Sequence, residues 1–213
     1  VNRYQHIIWD WNGTLLNDVD LCVDVMNRML LKRGMSGIDT IRYRDIFDFP
    51  VESYYRELGF DFAVDSFEGL AHEYCDEYDQ RVLECSLQAG TLDILRTLSD
   101  TKIQQSILSA CEQNSLLRVI EHHGLTPHFS DVVGQMNSYA TGKILAGRTL
   151  VERSAISSSN TLLIGDTLHD LEVAKSLGAT CVLIANGHHS RHRLSAGHED
   201  VVDSLEGVLE YAV

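Results

Sequence analysis

Proline is scarce, with two residues in 213. At 44% hydrophobic and 23% charged residues, the chain falls outside the compositions of disordered and collagen-like proteins. No apolar run approaches the roughly 20 residues of a membrane-spanning helix. The opening VNRYQHIIWDW lacks the layout of a secretory signal, because its apolar stretch is short and ends in an acid. Cysteine is present but unpatterned. Cys22, Cys75, Cys85, Cys111 and Cys181 are odd in number, widely spread and never in a CxxC spacing, which fits reduced thiols in a cytoplasmic protein. Positive charge is the other shortage: 17 Lys and Arg stand against 31 Asp and Glu, for a net charge of −14. That balance speaks against nucleic-acid binding. It also repels phosphorylated ligands, so such a substrate needs a local cation or a metal.

What is present is a chain long enough for one large domain, or for a core domain with a small insertion. Five short apolar runs read as strands: residues 6–9, 105–108, 132–133, 161–164 and 181–184. The last two are almost continuously apolar, as strands buried on both faces of a parallel sheet are. Helical spacing recurs between them at 115–123, 145–151 and 171–177, the last followed by Gly178 as a stop. Alternating strands and helices predict an α/β fold with a doubly wound parallel sheet. Residues 19–87 break the rhythm. They hold no buried strand, and 21–31, 51–58 and 67–83 read as amphipathic helices. The expected organisation is a core of residues 1–17 and 88–213 with a small helical domain over 18–87. The His-rich stretch 187–198 reads as an exposed loop, and 204–211 as a final helix.

The chemically informative residues fall at the ends of these strands, the edge at which open α/β sheets bind ligands. The first strand delivers Asp10 into Trp11-Asn12-Gly13-Thr14, which sets a carboxylate beside turn amides. The second ends at Ser109-Ala110, and Lys143 follows Ala140-Thr141-Gly142. The fourth runs into Gly165-Asp166-Thr167-Leu168-His169-Asp170, where two acids four apart share one side of a helix's first turn. Together these residues suit phosphoryl transfer. Asp10 can act as a nucleophile. Asp10, Asp166 and Asp170 offer hard oxygen ligands for Mg²⁺. Ser109, Lys143 and turn amides can hold phosphate oxygens. Plainer roles exist for each: a helix cap for Asp10, a turn for Ser109, a solvated surface for Lys143 and a first-turn acid for Asp170.

IIWDWNGTLL, Ser109, Lys143 and GDTLHD, in that order, resemble the four motifs of the haloacid dehalogenase superfamily. The helical insertion is similar to the cap of its phosphoglycolate-phosphatase-like branch. The resemblance covers essentially the whole chain. It implies a parallel sheet of order 5-4-1-2-3 under a helical cap, and a Mg²⁺-dependent phosphatase of a small phosphorylated metabolite. By matched position, Asp10 would take the phosphoryl group as an aspartyl-phosphate. Mg²⁺ would bind Asp10, the main-chain carbonyl of Asn12, and Asp166, with Asp170 assisting. Gly13, Ser109, Ala110 and Lys143 would hold the transferring group.

One position departs from the family pattern. Its phosphatases carry a second Asp two residues after the nucleophile, which protonates the leaving group and later deprotonates water. Here that position is Asn12, whose carboxamide exchanges no proton at neutral pH. The implied loss on ordinary phosphomonoesters is about 10²–10⁴-fold. Three explanations stand side by side: a substrate with a good leaving group such as an acyl phosphate, a stand-in such as His169 or His188, or an engineered substitution. The family's proline after the lysine is also missing, with Ile144 in its place.

In the helical segment, Arg42, Tyr43, Arg44, Phe47, Asp48, Phe49, Pro50, Tyr54 and Tyr55 cluster aromatic and basic character. The cluster reads either as cap core with solvated arginines or as a substrate-selecting surface. On the second reading Arg44, Phe47 and Phe49 set specificity, and an Arg binds a second anionic group. His188 and His192 have the spacing of helical zinc ligands, but no Cys or acid completes a site. Three other functions compete. A binding protein could have lost activity at Asn12. A dehalogenase needs no metal, which Asp166 and Asp170 argue against. A phosphonate hydrolase needs a cap lysine, and Lys32 is the only one there. The expected state is a monomer or homodimer without nucleic-acid or membrane partners.

Overall fold

The computed structural model describes residues 3–135 and 143–212. Among these residues the strands are β1 (His6–Trp9), β2 (Leu16–Asn17), β3 (Ser86–Leu87), β4 (Gln104–Glu112), β5 (Asp131–Gln135), β6 (Thr161–Gly165), β7 (Thr180–Ile184) and β8 (Val201–Val202). The helices of the inserted segment are α1 (Val19–Lys32), α2 (Thr40–Ile46), α3 (Val51–Glu57) and α4 (Phe67–Arg81). Those that follow are α5 (Thr91–Asp100), α6 (Gln113–His122), α7 (Lys143–Ser154), α8 (Leu168–Leu177), α9 (Arg191–Gly197) and α10 (Leu209–Ala212).

Six strands form one all-parallel sheet in the order β5-β4-β1-β6-β7-β8. Without β8, this is the sheet order expected from the sequence. Every residue of β1 is buried, as a central strand covered on both faces requires. Its side chains alternate between the two layers. Ile7 and Trp9 join a core with Leu95 of α5 and Leu116 of α6. Ile8 points into a second core with Leu150 of α7 and Val173 of α8. Helices therefore cover both faces.

The inserted helices begin and end on a short ribbon. β2 and β3 pair antiparallel, with Leu16 opposite Leu87, so the chain before α1 and after α4 meets at one place. The stripe Leu21, Cys22, Val25, Met26 and Met29 of α1 is buried at helical spacing, and it joins Leu70 and Tyr78 of α4 in one core. The α8 helix stops at Gly178, which adopts a left-handed φ of 73° as expected of a C-cap glycine.

Four expectations are corrected. β4 continues past residue 108 to Glu112, with a register shift against β5 between Leu108 and Glu112. The stretch 187–198 is not an exposed loop: His188 and His189 are buried, and residues 191–197 form α9. The segment 204–211 starts as a 3-10 turn before α10. Residues 82–84 likewise form a 3-10 turn rather than extending α4. The Ala140–Gly142 stretch expected beside Lys143 lies outside the described residues. Among the described residues no helix is long and apolar enough to cross a membrane.

Candidate active site

Asp10 sits one residue beyond β1, its amide still bound to the Ile164 carbonyl of β6 at 2.8 Å. The chain then turns sharply. Gly13 takes a φ of 73°, and a Cβ there would collide with the Asp166 carboxylate. Glycine is required on both counts. Gly187 also lies against Asp166, and a Cβ there would collide with it too. Two glycines thus give Asp166 its room. Thr14 Oγ1 donates to its Oδ1 at 2.8 Å, and the His188 amide donates to its Oδ2.

Asp170 is set by the start of α8. Thr167 caps the helix and Asp170 returns the bond, so both sides of a capping box are made. Its Oδ2 accepts from the Thr167 amide and hydroxyl at 3.0 and 2.7 Å. That leaves Oδ1 for Lys143, whose Nζ lies 2.7 Å away. The same Nζ lies 2.6 Å from Asp10 Oδ1. Carboxylate oxygens of Asp10, Asp166 and Asp170 all fall within 4.8 Å of one another.

Three buried carboxylates face one ammonium, so the fully ionised cluster carries excess negative charge. The protonation equilibria respond accordingly. Burial raises the Asp10 carboxyl well above its ordinary range; Lys143 opposes this, while Asp170 and Asp166 add to it. Burial also pushes Asp166 up to about 6. Burial works against ionisation of Asp170 as well, but Lys143 and Thr167 outweigh it and hold its carboxyl low. Burial disfavours the Lys143 ammonium, yet Asp10 and Asp170 raise its pKa above the ordinary lysine value. A divalent cation fits this set. The donors are hard oxygens, they converge, and the charge they leave unbalanced is negative.

Asn12 faces a second buried group. Its Nδ2 donates to Asp18 Oδ2 at 2.8 Å and to the Tyr78 hydroxyl at 2.7 Å. The Tyr78 hydroxyl donates to Asp18 Oδ2 at 2.7 Å, and the Gly13 amide donates to Oδ1 at 2.9 Å. His188 Nε2 stands 3.4 Å from Asp18 Oδ1, and its Nδ1 is 2.9 Å from the Tyr43 hydroxyl. Burial would raise the Asp18 carboxyl; His188, Asn12 and Tyr78 bring it down to about 2. Burial would lower His188, and Asp18 lifts it to about 9. Asp18, Cys22 and His188 also offer converging ligand atoms, but the Asp18 oxygens are already engaged by Asn12, Gly13 and Tyr78.

Ser109 is fully buried in β4, where its Oγ accepts from the Cys111 amide at 3.0 Å and stands 3.4 Å from Asn12 Oδ1. Asp10, Asn12, Ala110, Lys143 and His188 line one cavity of about 220 Å³. Phe47 and Phe49 line it from the inserted segment. Arg44 is directed elsewhere, donating to the carbonyls of Gly187 at 2.8 Å and Asn186 at 3.2 Å. His169 stacks against Phe49, with ring centroids 4.6 Å apart. Asp18, Tyr78 and Gly187 are not marked as site residues by the sequence, and Tyr43 enters only as one member of the aromatic and basic cluster. Asp18 stands at the N-cap of α1 without a side-chain cap bond, whereas an acid at a helix start reads in the sequence as an ordinary cap. The aromatic residues carry no signal beyond their type.

The model of the family described as haloacid dehalogenase-like hydrolase matches residues 7–184. A phosphoglycolate phosphatase of Vibrio parahaemolyticus is 30% identical over 158 residues, which is 73% of this chain and 63% of that protein. The chain thus spans just under two thirds of that relative. A 5'-nucleotidase of Pseudomonas aeruginosa is 23% identical, over 91% of this chain and 88% of its own. Among solved structures, a predicted phosphatase from Clostridium acetobutylicum superposes with a TM-score of 0.83 at 20% identity, covering 97% of both chains. That likeness concerns the fold.

Proposed function

We propose that this chain, which belongs to the haloacid dehalogenase-like hydrolases, is a magnesium-dependent phosphatase of small phosphorylated metabolites that works through an aspartyl-phosphate on Asp10. The carrying observation is the buried Lys143 ammonium bound to both Asp10 and Asp170, in a cluster whose third carboxylate is Asp166. In this reading residues 18–87 are the cap, and 1–17 with 88–213 the catalytic core. Mg²⁺ would be held by Asp10, the main-chain carbonyl of Asn12, and Asp166, with Asp170 assisting through its hold on Lys143. When bound, it supplies positive charge to the phosphoryl oxygens and favours ionised carboxylates.

The chain's own groups do the rest. An Asp10 oxygen attacks phosphorus, and the ester oxygen leaves with the bonding electron pair. Water then attacks the phosphorus of the aspartyl-phosphate, which releases inorganic phosphate and restores the carboxylate. Lys143 balances charge on the transferring group. The Asn12 amide is tied to Asp18 and Tyr78 and delivers no proton. The leaving oxygen takes its proton from water, so acyl and aryl phosphates turn over faster than alkyl esters. Acetyl phosphate with and without Mg²⁺ tests the reading. Phosphate release should need the metal and vanish in Asp10→Asn, and mass spectrometry should place one phosphoryl group on the peptide holding Asp10. Release that persists in Asp10→Asn, or a label elsewhere, overturns it. Mg²⁺-dependent binding of phosphate esters without any release would indicate a binding protein instead.

A further inference from the structure

The cavity above Asp10 bears on which esters fit. Resting on the phosphatase reading, we infer that the substrate's body, beyond its phosphate, is small, uncharged and largely apolar, and that a second anionic group makes an ester a poor substrate.

From Asp10 and Lys143 the cavity runs into the inserted helices, where Met26, Tyr54, Tyr55, Phe67, Tyr74 and Tyr78 wall it. Its volume of about 220 Å³ lies below the ~300–1,000 Å³ of pockets for drug-sized ligands. Among the described residues the only basic side chains on its lining are Lys143 and His188, and each already faces a carboxylate. The other carboxylates on the lining are Asp18, which faces His188, Asp79, which lies 3.8 Å from the Arg118 guanidinium, and Glu112.

The cap's cations are turned outward. Arg28 and Arg81 meet Asp24 and Glu77. Lys32 and Arg33 meet Glu73, and Arg56 meets Glu52. Arg44 holds backbone carbonyls, and Arg42 is exposed. Residues 136–142 contain no Lys, Arg or His. A carboxylate or second phosphate on the substrate would therefore lose its water and meet only cations that carboxylates already engage, His188, Arg118 and Lys143. Phosphoglycolate, named for one relative, carries such a carboxylate. An aryl or alkyl body instead gains contact with the aromatic wall. Tyr54 adds a neutral polar point: it lines this wall, and its buried hydroxyl makes no hydrogen bond among the described residues.

The test compares phenyl phosphate with 4-carboxyphenyl phosphate on the unmodified protein with Mg²⁺. The two leaving groups are closely matched, so the difference reports the body. We expect kcat/KM to favour phenyl phosphate by about tenfold or more. Equal values, or a preference for the carboxylated ester, overturn the inference. If neither ester reacts while acetyl phosphate does, the inference is overturned and the phosphatase reading stands. If acetyl phosphate fails as well, the phosphatase reading falls, and calorimetry with phenylphosphonate and 4-carboxyphenylphosphonate decides this point. Tighter binding of phenylphosphonate supports it; equal, weaker or absent binding overturns it.

Discussion

Lys143 Nζ lies 2.6 Å from Asp10 Oδ1, and neither side chain is more than 10% exposed. The ammonium binds Asp10 and Asp170, while Asp166 completes the acidic cluster. Lys143→Met keeps the side chain's bulk and removes its charge. Breaking a buried ion pair this way costs about 3–5 kcal/mol. In chelator, the variant should melt roughly 10 °C or more below the parent. Added Mg²⁺ should recover much of that loss, because it neutralises the same carboxylates. Equal melting of variant and parent in chelator would mean that the cluster is not held by charge balance.

Asn12 and Asp18 define the second prediction. With Asp18 Oδ2 2.8 Å from the Asn12 amide, Asn12→Asp sets two carboxylates side by side. They share a proton, so the pair titrates with one raised pKa. A carboxyl raised in the fold stabilises at low pH, and that stability is lost as pH rises through the folded value. The variant should be close to the parent near pH 5 and clearly less stable near pH 8, by thermal melting. Adding Asp18→Asn should relieve the deficit. Turnover of alkyl phosphates should rise in Asn12→Asp, toward the 10²–10⁴-fold that a general acid contributes. An unchanged or lower rate would show that Asn12 does not limit the reaction.

Arg44 supplies a prediction in which little happens to binding. Its guanidinium ties the inserted segment to the loop at Asn186 and Gly187 through two carbonyls. Arg44→Ala should cost about 1–3 kcal/mol in denaturant unfolding. The KM for phosphate esters, carboxylated or not, should stay within about twofold, since 1.4 kcal/mol is tenfold. A large KM rise confined to carboxylated esters would place Arg44 at the substrate instead.

These cases show which features the sequence makes legible. Asp10, Asp166 and Asp170 were readable because strand ends and helix starts lie at fixed offsets from apolar runs. The main strands are legible because β6 is buried throughout and β7 from Cys181 onward. β8 has two half-buried residues, too few to make a pattern. α2 buries only Tyr43, so it has no apolar stripe to detect. α5 does carry one, at Ile94, Leu95 and Leu98. The direction of Arg44 and the burial of His188 depend on residues more than 140 positions away in sequence, Gly187 and Tyr43 respectively. Local spacing carries no information about such contacts.

The last prediction concerns acid. His6 is fully buried in the central strand, where its Nε2 lies 3.0 Å from Ser106 Oγ and its Nδ1 has no hydrogen-bond partner among the described residues. Burial lowers its pKa to about 4, with Asp131 opposing. In the unfolded chain it returns to about 6.5. A histidine depressed in the fold contributes stability that is complete above the unfolded value and is lost as pH falls toward the folded one. At about 1.4 kcal/mol per unit, the parent should lose about 2 kcal/mol from this group between pH 7 and pH 5. His189, also lowered to about 4 by burial, adds in the same direction. His6→Gln keeps a hydrogen-bonding side chain that does not titrate. Its stability in urea, measured at both pH values, should therefore fall by about 2 kcal/mol less than the parent's. If parent and variant lose the same amount, protonation of His6 does not couple to unfolding, and the acid sensitivity of the fold must be sought at His189 or in the carboxylate cluster.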